Sequence, residues 1–241
     1  MSRVTLKKEV EVTAYLFGEN HRASYGIVVL HEIWGVNYTI RALAQELADF
    51  LSCKVLVPDL FGGKVARHIS EATRIRSLLD WSQVVSDIGI AVRFLRDRHH
   101  CRSVGVVGFS LGGALALTAA AAVNGVDCCV CFYGIPPRQL CDIRKISVPV
   151  QLHFGEKDQA KGFTDLDEAL RLEEELKVAG INHEFYVYPK AGHGFMSRPD
   201  QYDIELADSI KQRILEQYDP DSRHIAFQRM ISFLMRHFDT V

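Results

Sequence analysis

Residues 105–113 read Gly-Val-Val-Gly108-Phe-Ser110-Leu-Gly112-Gly113, with an apolar run before the serine and an alanine-rich run after it. A serine hydroxyl is a poor nucleophile near neutral pH. It becomes useful when a sharp turn lifts it clear of a sheet, beside a base and near backbone donors that face the charge developing on a carbonyl oxygen. G-x-S-x-G between a strand and a helix is the sequence of such a turn. Glycines on both sides leave room where a Cβ would clash, and the first N–H groups of a helix have no partner inside it. The spacing predicts a strand over Ser103–Val107, a helix over Leu111–Ala122 and Ser110 as the nucleophile of an acyl transfer.

Such a serine needs a base, and an acid to orient the base. In α/β-hydrolase folds these follow in the order Ser, Asp/Glu, His, on loops at the carboxyl ends of later strands. Asp158, in His153-Phe-Gly-Glu-Lys-Asp158, lies on the loop leaving an apolar run at Val148–Phe154. Its rivals are less well placed: Glu156 is nearer the strand end and Asp167 falls in the following helix. Among ten histidines, His193 has glycine on both sides and follows the last apolar strand. His99 and His100 close a helix, His224 and His237 belong to terminal helices, and His153 lies in a strand. The second oxyanion donor is expected from the loop His31–Asn37, which makes the backbone N–H groups of Ile33 and Leu111 the candidates.

These residues must be held by a frame, and the frame is legible as alternation. Strand-like runs are expected at Glu9–Phe17 (antiparallel), Gly26–Leu30, Lys54–Val57, the run before Ser110, Val126–Tyr133, Val148–Phe154 and His183–Tyr188. Helical spacing appears at Tyr38–Leu51, at Glu71–Arg96 with a break near Asp80, at Leu111–Ala122 and at Asp165–Ala179. Two more segments follow, Pro199–Gln217 and Ser222–Phe238. Strands alternating with helices imply a mainly parallel central sheet with helices on both faces. No linker or repeat divides the chain, so residues 1–241 are expected to form a single domain.

The 241 residues are 48% hydrophobic and carry a net charge of −2, which implies no general attraction to nucleic acid or anionic membranes. No apolar stretch nears the roughly 20 residues of a membrane span, and the first residues lack the apolar centre of a leader peptide. The expectation is a cytoplasmic enzyme acting on a small molecule, with oligomeric state left open. Cys128, Cys129 and Cys131 crowd one apolar run. Neighbouring strand residues face opposite ways, so they are expected to be small buried hydrophobes rather than metal ligands.

The loop His31-Glu32-Ile33-Trp34-Gly35-Val36-Asn37 resembles a signature of the dienelactone hydrolase family. Further segments of the family pattern follow in order: Pro58-Asp59-Leu60-Phe61, Gly108–Gly113, Cys131-Phe132-Tyr133-Gly134, His153–Asp158 and Ala191-Gly-His193-Gly-Phe195. The resemblance implies an α/β-hydrolase fold, cleavage of a lactone or small ester, no metal or organic cofactor, and an active-site role for Glu32 beside the nucleophile and the histidine. A carboxylate there can hydrogen-bond the nucleophile or pair with an arginine. Its simpler role is to sit near the start of a helix, where the macrodipole favours negative charge.

Two departures stand out. The family nucleophile is usually cysteine, and this chain has Ser110. A thiolate exists near neutral pH, whereas an alkoxide does not, so His193 must remove the proton as attack occurs. The family also binds a substrate carboxylate with arginines. Arg198 lies one place beyond the family position and is the candidate anchor; Arg74 and Arg76 lie in the general region of a second, but the loop aligns poorly there and a solvated helix face is their simpler reading; Trp34 and Tyr133 are further substrate-binding candidates. A general carboxylesterase or thioesterase would use the same triad. A catalytically silent binding scaffold would ordinarily lack a triad residue, and all three are present.

Overall fold

The computed structural model of the protein describes residues 1–6, 12–201 and 207–238. The chain runs β1(Ser2–Thr5), β2(Thr13–Phe17), β3(Tyr25–Leu30), α1(Tyr38–Leu51), β4(Lys54–Pro58), α2(Ile69–Ser77), α3(Trp81–His99), β5(Ser103–Phe109) and α4(Leu111–Ala122). It continues through β6(Cys128–Phe132), a short 3-10 turn, β7(Val150–Gly155), α5(Leu166–Val178), β8(His183–Tyr188), α6(Asp208–Gln217) and α7(Pro220–Phe238).

The strands form one sheet in the order β1-β2-β4-β3-β5-β6-β7-β8. The pairs from β4 to β8 are parallel, while β1 and β2 pair antiparallel at one edge. β4, β5 and β6 are buried along their whole length, which is why their sequences are continuous apolar runs rather than alternating ones. A Cβ on Gly26 would meet Leu95 of α3, and one on Gly105 would meet Leu234 and Phe238 of α7. Gly26 pairs with Val104, the residue before Gly105. Consecutive strand residues face opposite ways, so α3 and α7 cover opposite faces of the sheet. On the α7 side, α1 is tied in by Arg223–Glu46 at 2.6 Å and by the Phe50 and Phe227 rings at 5.7 Å.

Local chemistry sets the element ends. Asn37 caps α1 by accepting from the Ile40 N–H at 3.1 Å. Asp80 caps α3 by accepting from the Gln83 N–H at 3.1 Å, and this cap is the expected break between α2 and α3.

Three expectations change. β1 has no clear alternation to announce it; it is a four-residue edge strand completed by pairing with β2. The first expected strand starts at Thr13, and residues 9–11 of that expectation lie outside the described residues. The helix expected over 199–217 begins at Asp208. Residues 198–201 instead close a turn, in which the Gln201 N–H donates to the Arg198 carbonyl at 3.1 Å; residues 202–206 of that expectation lie outside the described residues.

The order of the strands creates the site. The chain passes from β3 to β4 on one side and returns to β5 on the other. The loops leaving β3 and β5 therefore diverge from neighbouring strand ends, where open parallel sheets place their binding crevice. Leu30 lies opposite Gly108, Phe109 opposite Phe132, Phe132 opposite His153, and Gly155 opposite Tyr188. Glu32, Ser110, Tyr133, Asp158 and His193 all follow these strand ends along one edge of the sheet.

Candidate active site

Ser110 has φ 53° and ψ −114°, a conformation that side-chain-bearing residues rarely adopt and that costs on the order of 1–3 kcal/mol. Its surroundings hold it there. The Ser110 N–H donates to the Phe132 carbonyl at 2.9 Å. A Cβ on Gly108 would lie 1.9 Å from the Gly112 carbonyl oxygen, and one on Gly112 would lie 2.2 Å from the Leu30 oxygen. The backbone of the turn thus folds onto itself and onto β3 more tightly than any other residue type permits.

Ser110 Oγ is 2.8 Å from His193 Nε2, and His193 Nδ1 is 2.7 Å from Asp158 Oδ2. An ionised carboxylate only accepts, so His193 carries its proton on Nδ1 and leaves Nε2 to accept from the serine hydroxyl. Asp158 is buried and hydrogen-bonded beyond the histidine. Its Oδ1 accepts from the Ala160 N–H at 2.9 Å, and its Oδ2 accepts from the Thr164 hydroxyl at 2.8 Å. Thr164 Oγ1 is also 3.1 Å from His193 Nδ1. Nothing in the sequence marks Thr164: a threonine six residues past Asp158 on an irregular loop has no periodicity to single it out.

Glu32 stands beside this chain. Its Oε1 accepts from the Tyr133 hydroxyl at 3.2 Å and lies 4.0 Å from where a Cβ on Gly194 would be. Burial raises the Glu32 carboxyl above the ordinary carboxylate range, against the opposing pull of His193 and of the Tyr133 hydroxyl. His31 shapes the same loop. It is buried, its Nδ1 meets the Glu32 carbonyl at 2.8 Å, and its Nε2 accepts from the Leu60 N–H at 3.2 Å. The proton therefore sits on Nδ1, and burial keeps the ring neutral by lowering its pKa. This buried ring fastens the loop after β3 to the one after β4.

Ser110, His193, Glu32 and Thr164 open onto a cavity of about 1070 Å³. Ile33, Leu111 and Trp34 line it, and the Ile33 and Leu111 N–H groups meet no protein acceptor among the described residues. Two expected binding residues are placed elsewhere. Tyr133 is fully buried beneath the site and outside the cavity wall; it holds Glu32 and sits against the His193 ring, with centroids 5.0 Å apart. Arg198 is also outside the wall, because its guanidinium turns to Asp200 through bonds of 3.1 and 2.8 Å. The arginines that do line the cavity are Arg76, from α2, and Arg213, from α6. Neither has a side-chain partner among the described residues. Arg74 is not in the wall.

The cysteines of β6 are buried free thiols. Burial pushes the Cys131 thiol up to about 12 and raises Cys128 and Cys129 as well. Among the described residues, no helix is long and apolar enough to cross a membrane.

Comparison with known proteins places this geometry in context. The model of the dienelactone hydrolase family matches residues 12–238. A carboxymethylenebutenolidase of Rhodococcus opacus is 32% identical over 209 residues, 79% of this chain and 79% of the relative. Protein usf of Aquifex pyrophilus is 28% identical over 189 residues, 74% of this chain and 80% of its own. MGS-M1, an alpha/beta hydrolase enzyme from a Medee basin deep-sea metagenome library, shares the fold with a TM-score of 0.70 at 18% identity. That match covers 99% of this chain and 97% of the other.

Proposed function

The chain belongs to the dienelactone hydrolase family, and from that premise we propose that it cleaves a lactone or carboxylic ester through an acyl intermediate on Ser110. The observation that carries this reading is the unbroken chain Ser110–His193–Asp158, with links of 2.8 and 2.7 Å, opening onto the cavity. Ser110 Oγ attacks the substrate carbonyl while His193 Nε2 takes its proton. The oxyanion accepts from the Ile33 and Leu111 N–H groups. His193 then protonates the leaving oxygen, activates a water and returns the proton as the acyl group departs. Asp158 holds the productive tautomer and stabilises the imidazolium. Serine needs this concerted proton removal where a cysteine thiolate would not, and His193 at 2.8 Å is close enough to supply it.

The chain acts as one α/β-hydrolase domain in the cytoplasm in this reading, and its six thiols suit that compartment. Arg76 and Arg213 support recognition of a substrate carboxylate, because both line the cavity and neither side chain is held in an ion pair among the described residues. The test is a fluorophosphonate probe followed by mass mapping, alongside p-nitrophenyl acetate hydrolysis. A single adduct on Ser110, and a loss of roughly 10³-fold or more in kcat for Ser110→Ala, are expected. Labelling at another residue, or near-normal turnover by the alanine variant, overturns the assignment.

A further inference from the structure

A cavity of about 1070 Å³ lies just above the ~300–1,000 Å³ range typical of sites for drug-sized ligands. A lactone ring or acetyl group at Ser110 would leave most of it empty. The nature of the wall indicates what fills the rest. Trp81 lines the cavity while its indole N–H is sealed from solvent and has no partner among the described residues, so it offers a ligand its apolar ring. Ile210 and Ile214 of α6 are four residues apart and share one helix face; both line the cavity. Ile135, Leu111 and Ala114 continue the apolar wall on the β6 side.

The mouth is apolar too. Ile69, Leu140 and Phe163 all line the cavity, yet they are 45%, 48% and 64% exposed. They come from three separate elements: α2, the loop after β6 and the loop after β7. A gathering of large exposed apolar side chains around one opening marks a ligand groove. The β7 loop is held by the site itself, since the Phe163 and Thr164 N–H groups both donate to the Ala160 carbonyl, and the Ala160 N–H donates to Asp158. The charged wall residues Arg76, Asp80 and Arg213 are all exposed; Glu32 stands with Ser110 and His193 at the reacting end, so the wall along Trp81, Ile210 and Ile214 is left to hydrocarbon.

We propose that the substrate of this site is an ester with an extended apolar acyl or alkyl group, several carbons long, lying along Trp81, Ile210 and Ile214 and leaving past Leu140 and Phe163. The inference rests on the hydrolase reading above and adds the class of group the site accepts. Each methylene moved from water into such a wall favours binding by up to about fourfold.

Two neutral series test it on the full chain below micellar concentrations: p-nitrophenyl esters from acetate to octanoate, and acetates of methanol through octanol. The expected result is a rise in kcat/KM of at least tenfold along one series. Leu140→Asp and Phe163→Asp should each reduce the long-to-short ratio severalfold. These surface changes carry little risk to folding, and circular dichroism checks it. If both series are flat or fall while Ser110-dependent acetate hydrolysis persists, the inference alone is overturned, as it is by an unchanged ratio in both folded variants. No hydrolysis of any ester, together with no probe adduct on Ser110, overturns the hydrolase reading and this inference with it.

Discussion

The Tyr133 hydroxyl donates to Glu32 Oε1 across 3.2 Å, joining the loop after β3 to the loop after β6 directly beneath the serine–histidine pair. Tyr133 has φ 38° and is fully buried; its N–H donates to the His153 carbonyl at 2.8 Å. The residue is thus held in a left-handed conformation so that its ring can pass under the site. Tyr133→Phe keeps the ring and removes the hydroxyl that steadies Glu32. The expected cost is about 1–3 kcal/mol, because a sheltered carboxyl loses its donor. The urea midpoint should fall accordingly, with the same slope. An unchanged midpoint would mean that water replaces the tyrosine.

Glu32 itself makes a prediction about pH. Its carboxyl is raised in the folded protein, chiefly by burial. Between the ordinary carboxylate range and that raised value, the folded state holds a proton that the unfolded state has already released. Stability therefore falls as pH rises through this window and stays lowered above it. Glu32→Gln removes the titration and keeps an acceptor for Tyr133. The variant should gain stability relative to the parent as pH rises from 4 to 8, with activity altered in rate or pH profile. Thermal melts at several pH values check this, and a pH-independent difference would refute it.

Thr164 is expected to act through Asp158 rather than on substrate. Its hydroxyl donates to Asp158 Oδ2 at 2.8 Å, the oxygen that also faces His193. Thr164→Val preserves shape and deletes the donor. Hydrogen bonds to a charged group contribute about 1.5–3 kcal/mol, so kcat should fall about 10- to 100-fold. Thr164→Ser should restore most of it. If valine and serine behave alike, the residue only fills space.

The frame, and the candidacy of Ser110, Asp158 and His193 that the structure brings within hydrogen-bond distance, are legible in the sequence because they rest on local rules and chain order. Asn37 and Asp80 are caps, Gly108 and Gly112 are positions where a Cβ would strike backbone, and the buried strands are continuous apolar runs. The supporting residues could not be read in this way. Thr164, His31 and the buried position of Tyr133 depend on which loops meet after folding, and no spacing encodes that. The placing of Arg198 outside the cavity wall has the same kind of cause: its distance along the chain from His193 suits the site, but its guanidinium turns to Asp200, two residues on.

That capture moves the question of charge recognition to Arg76 and Arg213. Both line the cavity, on α2 and α6, and neither has a side-chain partner among the described residues. Both are exposed at the wall's watery part, so each contact with an anion is screened by solvent and worth less than a buried one. Two contacts on one carboxylate are still expected to discriminate. Arg76→Ala and Arg213→Ala should each raise KM severalfold for a carboxylate-bearing lactone and change it little for neutral p-nitrophenyl acetate. The double variant should show the larger effect, and added salt should reduce the parent's preference. Arg198→Ala should leave the ratio between charged and neutral substrates unchanged. If Arg198→Ala shifts that ratio while the other two do not, the Arg198–Asp200 pair opens when substrate binds, and the anchor is the one suggested by position in the chain. If no arginine shifts it, the site does not read a carboxylate.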